Sequence, residues 1–432
     1  MCDLFLQQKE VGCQPRGFVY VCPPHSLIDK TIWLCHSEGT QKGVGVTISA
    51  PSWTPGTGAS RSVALEVLIN GPLSRSDIAR RLDLSPGSLT RLSAPLIESG
   101  LLVETGELTE GRTGRPSRPL DIVADSRHFI GMKLTADDVQ GVATDLRANV
   151  ISADRASFSS RDPDSVADAI AQVADRLAGT VPRVTALGVG LGGRIAHNST
   201  VASAAFLEWE GVPLVDMIEA RTGISTIIEN DVVAFTEAEH WFGYGRGLDR
   251  FAVITLGVGI GYGLVIHDGI VADEDTGIGL IGHWPLDPFG PLCPAGHRGC
   301  ARSVLTQGAI THEVSAALGR EVGYDEALDL AVAGEPAARR VVDDAGRGLG
   351  RLLAAMANLT VPERIILGGE GVRLFEIARE AVDQGIAADR DPRAKRLDLV
   401  ATSGDNLEWC RGAAVIAIQT YALGTHPGAE RR

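Results

Sequence analysis

The segment Thr276–Arg302, T-G-I-G-L-I-G-H-W-P-L-D-P-F-G-P-L-C-P-A-G-H-R-G-C-A-R, constrains this chain more than any other. Its glycines and prolines exclude a long helix or a central strand. A loop so irregular needs something to hold it, and His283, Cys293 and Cys300 are suited to the task. Imidazole and thiolate together are zinc ligands, closed into a tetrahedron where the site is structural. Three protein ligands are one short of that set, and His297, between the cysteines, is the candidate fourth. A buried thiol pair in a metal-free loop is the other reading.

The 432 residues suffice for two or three domains with their own cores. Net charge is −14, so any contact with nucleic acid has to come from a local basic patch. Seven cysteines are spread unevenly, four of them before residue 36, which is not the framework of a small disulfide-rich domain. No basic start followed by an apolar run marks a signal peptide, and no eighteen-residue apolar window marks a membrane span. The expectation is a cytoplasmic protein without a membrane partner. Residues 1–60 lack helical or strand periodicity and read as a disordered leader. Cys13, Cys22, His25, Cys35 and His36 match no common zinc spacing there. A mis-assigned start is a second reading, although no Met follows Met1 before Met132.

Residues 61–125 carry a helix-turn-helix pattern. Ser62–Ile69 forms an apolar helix stopped at Asn70-Gly71-Pro72, and Ser74-x-x-Asp77 opens the next as a capping box. Ser85 caps a third helix with Pro86 at its first position. Leu89, Leu92 and Leu96 make its buried stripe, with a kink expected at Pro95. Gly87, Ser88, Thr90 and Arg91 are left exposed near the helix N-terminus, the part of a recognition helix that reads base edges. Leu101–Glu104 starts a wing strand. A basic tail follows, G-R-T-G-R-P-S-R-P from Gly111 to Pro119, in which Gly114-Arg115-Pro116 resembles an AT-hook core suited to a narrow minor groove, with Arg112 and Arg118 placed for phosphate contacts. Double-stranded DNA is the partner this combination points to. A helical hairpin for protein contact is the alternative.

Residues 126–425 alternate strand-like and helix-like runs, an α/β pattern, and 426–432 are a short tail. Phe129–Leu134, Gly141–Leu146 and Val150–Phe158 read as a meander, Ser165–Leu177 as a helix, and Val184–Gly190 and Ile224–Ile228 as buried strands. Arg250–Gly257 and Gly261–Ile266 read as a hairpin, Glu335–Asn358 as a long helix, Arg364–Leu367 as a strand and Cys410–Ala422 as a closing helix.

The Cys-His segment resembles the signature of the ROK family of repressors and sugar kinases, Glu-x-Gly-His followed by Cys-x-Cys-Gly-x-x-Gly-Cys-x-Glu. Gly282, His283, Cys293, Gly296, Gly299 and Cys300 match. Leu280 stands in place of a sugar-binding Glu, Ala295 in place of the middle zinc Cys, and Arg302 in place of a second sugar-contacting Glu. The resemblance covers roughly residues 62–425. It implies an N-terminal winged helix-turn-helix joined to a two-lobed actin-like (ribonuclease H-like) domain made of two βββαβα halves. It also implies zinc at His283, Cys293 and Cys300, and an effector site at Gly193, Asn230, Asp231, His283 and Arg302.

Kinases of the family open their ATPase domain with Asp-x-Gly-Gly-Thr. The matching stretch here is Lys133-Leu134-Thr135-Ala136-Asp137, without the Asp or either Gly. A turn that must approach phosphate closely is lost with those glycines. The second phosphate loop keeps its glycines as Gly257-Val258-Gly259-Ile260-Gly261 but not its hydroxyl, and Gly368-Gly369 is unspecific. Glu229-Asn230-Asp231 is intact, and in the kinases this Asp is the general base. Asn or Asp there also suits a helix N-cap. A base without a phosphate cradle does not transfer phosphoryl groups. Neither catalysis nor ATP binding is therefore expected. Phe206 replaces a common Asn in the sugar-side loop, and Arg302 suits an anionic group such as a sugar phosphate. The expected protein is a transcriptional repressor, a homodimer or homotetramer, governed by a sugar or sugar-phosphate effector. The alternatives are a kinase fused to a DNA-binding domain and a regulator with a dead pocket.

Overall fold

The chain divides into residues 1–50 and 51–432, and the computed structural model describes residues 58–106, 118–273 and 275–424. Residues 1–57 of the expected leader, Arg112, Arg115 and the tail 426–432 lie outside the described residues, and residues 59 and 60 belong to the first helix.

Helices Ala59–Asn70, Arg75–Arg81 and Pro86–Glu98 form the tri-helical unit. Both expected caps are made. Ser74 Oγ accepts the Asp77 N–H at 3.1 Å and donates to the Asp77 carboxylate at 2.7 Å. Ser85 Oγ accepts the Ser88 N–H at 3.1 Å. Leu89 and Leu96 are buried, and the third helix continues through Pro95 to Glu98. Strand Leu102–Glu104 pairs antiparallel with Leu120–Ile122, and Leu73 bridges Leu120 beside them. Beside the pair, Thr105 N–H donates to Pro119 O at 2.9 Å.

Two five-stranded sheets follow, and they share one topology. In the first, the order is Thr226–Asn230, Val184–Leu191, His128–Leu134, Asp138–Thr144, Val150–Ser157. In the second it is Gly269–Ile270, Ile260–Ile266, Arg250–Leu256, Arg364–Gly368, Leu399–Ala401, with the last three strands parallel. In each, an antiparallel meander is joined to two strands that run parallel to its first strand, as expected for paired actin-like halves. Sequence periodicity missed a small sheet of Arg194–Ala196, Thr200–Ala204 and Trp209–Val212. These strands are short and half-buried, so their alternation is weak.

Helix Asn406–Ala417 lies against the first sheet so closely that side chains are excluded at the contact. A Cβ on Gly131 would stand 2.0 Å from Cys410 O and one on Gly188 2.0 Å from Ala413 O, and on its other side one on Gly412 would stand 2.8 Å from Ala234 C of helix Asp231–Phe242. The chain runs on as the π-helical turn Ile418–Ala422. There Val415–Ile418 join Val63, Val67 and Leu68 of the first helix in one buried cluster, together with Ala234, Ala238 and Trp241. Arg147 fastens the same junction, pairing with Asp121 of the wing and donating to the helix-end carbonyls of Val67 at 3.3 Å and Leu68 at 3.4 Å. The winged helix is thereby packed onto the first lobe through a continuous core. Among the described residues no helix is long and apolar enough to cross a membrane.

The close seam predicts a contrast between two glycines. Gly188→Ala forces a methyl into Ala413 and should cost about 1–3 kcal/mol of stability. Gly308→Ala, where nothing lies within 4 Å of the added Cβ, should be neutral or stabilising by up to ~1 kcal/mol. Thermal or urea unfolding of the two variants checks both.

Candidate functional site

A cavity of about 780 Å³ opens between the lobes. The first lobe contributes Lys133, Phe206, Asn230 and Asp231, the second Gly257–Gly261, Trp284, Gln307 and Glu370, and the closing helix Asn406 and Trp409. The lobes meet at its rim, where a Cβ on Gly277 would stand 1.8 Å from Gly193 O.

Asn230 and Asp231 are placed where a central parallel strand gives way to helix Asp231–Phe242. Asn230 is the N-cap, its Oδ1 accepting the N–H groups of Val232 at 3.0 Å and Val233 at 3.3 Å. Its amide donates to Gly193 O at 3.1 Å, so Gly193, at φ +124°, acts through its carbonyl. With the cap supplied by Asn230, Asp231 Oδ2 is left to accept from Lys133 Nζ. Both side chains are largely buried, and the ammonium also lies 4.7 Å from the centre of the Trp409 ring. The cation standing in the kinases' Asp position therefore holds the carboxylate that would have been the base.

The turn Gly257–Gly261 carries a second substitution of partners. Val258 N–H donates to Glu370 Oε1 at 3.2 Å. A Cβ on Gly257 would stand 2.2 Å from the same oxygen, so the glycine makes room for a carboxylate. Sequence reading noted Gly368-Gly369 but not the acid that follows. The only signal was an acidic residue directly after a phosphate-type glycine pair.

His283, Cys293 and Cys300 come together as the pattern required, their ligand atoms all within 4.8 Å of one another. Their separations match a ligand set. Cys293 Sγ is 3.7 Å from His283 Nδ1 and 3.6 Å from His297 Nδ1, and Cys300 Sγ is 3.9 Å from His283 Nδ1. Around a tetrahedral zinc, S···N edges come to about 3.6 Å and N···N edges to about 3.3 Å. The two imidazole Nδ1 atoms are 3.0 Å apart, a spacing that requires either one shared proton or a cation between two lone pairs. Burial raises the Cys293 thiol, but hydrogen bonds from His297, the Ala295 backbone and Cys300 outweigh it and hold the group at about 7. Thiolate is the form a metal takes. Burial, then the charges of His297 and Arg302, lower the His283 imidazole, which keeps its lone pair free. These residues fit a metal ion. His283 belongs to this cluster, and Arg302 stands beside it, its Cβ 3.8 Å from where a Cβ on Gly282 would lie. Of the five expected effector residues, Asn230 and Asp231 are the two on the cavity wall.

At the other end, Ser85, Gly87, Thr90 and Arg91 are exposed at the start of the third helix, with Ser88 half-buried. A docked major groove would meet this face first.

A family model described as the ROK family matches residues 129–420. The chain is 25% identical over 367 residues to the DNA-binding transcriptional repressor Mlc of Escherichia coli K12, which covers 81% of this chain and 90% of that protein. It is 35% identical over 211 residues to the glucokinase of Thermotoga maritima, covering 44% of this chain and 65% of that one. The crystal structure of a ROK family transcriptional regulator, a homolog of the E. coli MLC protein, superposes with a TM-score of 0.73 at 25% identity, over 84% of this chain and 96% of that one.

The Lys133–Asp231 pair should behave as a unit. Lys133→Met and Asp231→Asn each leave one partly buried partner uncompensated and should cost about 1–3 kcal/mol. The double variant should be less destabilised than the sum, with a coupling of roughly 0.5–3 kcal/mol. A double-mutant cycle by urea unfolding measures it.

Proposed function

The chain belongs to the ROK family, and we propose that it is a DNA-binding transcriptional repressor of carbohydrate-metabolism genes, controlled by a sugar or sugar derivative bound between the lobes. The observation that carries this reading is the shared core. Helix Asp231–Phe242 starts in the cleft and ends among residues that also pack against the first helix of the winged unit. A ligand that binds one inter-lobe arrangement better than another thereby shifts the posture of the winged helix, and that differential affinity is all that regulation requires. Ser85, Gly87, Ser88, Thr90 and Arg91 would meet the major groove, Arg115 the minor groove and Arg112 the phosphates. A homodimer suits a palindromic operator, since half-site symmetry mirrors protein symmetry. The similarity to the repressor Mlc supports the same reading.

The protein is proposed not to be an enzyme, although a glucokinase is among its relatives. Asp231 cannot serve as a free base while Lys133 neutralises it. Asn230, Asp231 and the Gly193 turn would face the sugar hydroxyls. Zinc is proposed at His283, Cys293 and Cys300, with His297 supplying the donor that Ala295 lacks. When bound it would fix the loop Thr276–Arg302 against the second lobe.

Purified full-length protein should bind its own upstream region specifically, and Arg91→Ala should weaken that binding by about 1–3 kcal/mol. One sugar of a neutral and phosphorylated panel should relieve the binding, read by fluorescence anisotropy at fixed salt. Specific binding that no sugar alters would mean a dead pocket, and ATP-dependent phosphorylation of any hexose would restore the kinase reading. Metal analysis should find one zinc per chain. Cys300→Ala should lose it, with a fall in the thermal midpoint that a strong chelator reproduces in the wild type.

A further inference from the structure

We propose that Glu370 is a built-in anion occupying the phosphate-type turn Gly257–Gly261, so that the cleft takes uncharged glycosides and rejects nucleotides and phosphorylated sugars. The inference rests on the reading of the cleft as the effector site. Glycine-rich turns bind anions because successive backbone N–H groups converge on one point. Here one of those N–H groups, that of Val258, already donates to the protein's own carboxylate at 3.2 Å, and the carboxylate stands in the space a Gly257 side chain would fill. Glu370 is not explained as a helix cap, because the helix that follows begins at Arg373 with Val372 as its N-cap.

Among the described residues the one lysine on the cavity wall is not free to meet a phosphate. Lys133 is committed to Asp231 and lies over Trp409. Asp273 and Asp275 add carboxylates to the same wall. A ligand phosphate would have to displace Glu370 from the Val258 N–H and would share the cleft with these exposed carboxylates, which disfavour it by like-charge repulsion. An uncharged pyranose meets none of this. Phe206 and Trp284 add apolar surface to the cavity wall, and Asn230 and Asp231 add polar groups suited to its hydroxyls.

Isothermal titration of the full-length wild type, Glu370→Gln and Glu370→Ala with ADP and with inorganic pyrophosphate tests the claim. The wild type should show no measurable binding of either anion. Glu370→Ala, which empties the turn, should gain at least about tenfold in affinity, with Glu370→Gln between the two. Wild-type binding as tight as that of Glu370→Ala overturns the assignment. Thermal shift of the wild type alone keeps the test open should the variants fold poorly. Glucose or a methyl glycoside should raise the midpoint more than glucose 6-phosphate does. A larger rise with the phosphorylated sugar overturns the inference and leaves the effector reading standing. No rise with any sugar overturns the effector reading and the glycoside preference together, whereas the ADP and pyrophosphate titrations still decide Glu370.

Discussion

The structure depends on the approach of one helix to one sheet. Helix Asn406–Ala417 meets the first lobe at backbone distance, where Gly131 and Gly188 leave no room for side chains. Interiors this dense transmit displacement and do not absorb it. The same helix contributes Asn406 and Trp409 to the inter-lobe cavity at its start, and its continuation Ile418–Ala422 packs beneath the winged helix at its end. One rigid rod therefore touches both places where a regulator must act. Helix Asp231–Phe242 runs beside it between the same two places.

The cleft is the kinase architecture with its charges exchanged. Where the kinases of the family hold an acid, Lys133 brings a cation, and where their glycine turn meets phosphate, Glu370 brings an anion. Each group is satisfied within the protein. A site whose own residues already fill its charged positions is not preorganised for phosphoryl transfer, which depends on positioning and charge neutralisation by metal and cationic groups. What is left to bind a ligand is aromatic surface and a few polar groups, and these suit recognition without chemistry.

Much of this was legible in the sequence because it is local. Ser74 and Ser85 declare their caps through residues three positions away, and the Cys-His segment declares a metal-type cluster through its spacing. The alternation of apolar runs showed the principal strands of the large domain, and the family resemblance implied its two halves. What stayed hidden joins distant positions. Lys133 and Asp231 are 98 residues apart and Glu370 and Val258 112 apart, so no periodicity relates them. The wing strand Leu102–Glu104 was expected, but its partner was not, because Leu120–Ile122 is only three residues long. The role of Arg147 was equally invisible, since its partners lie on the first helix and the wing.

The winged helix and the first lobe form one cooperative unit through the core that Val63, Val67 and Leu68 share with Val415–Ile418. Native-state hydrogen exchange on the full chain tests it without knowledge of any ligand. Amides of Ala59–Asn70 and of Asn406–Ala417 should open with a common free energy and a common dependence on denaturant. Opening of Ala59–Asn70 at a much lower free energy, with Asn406–Ala417 still protected, would contradict the account, because the winged helix would then be a separately folded passenger.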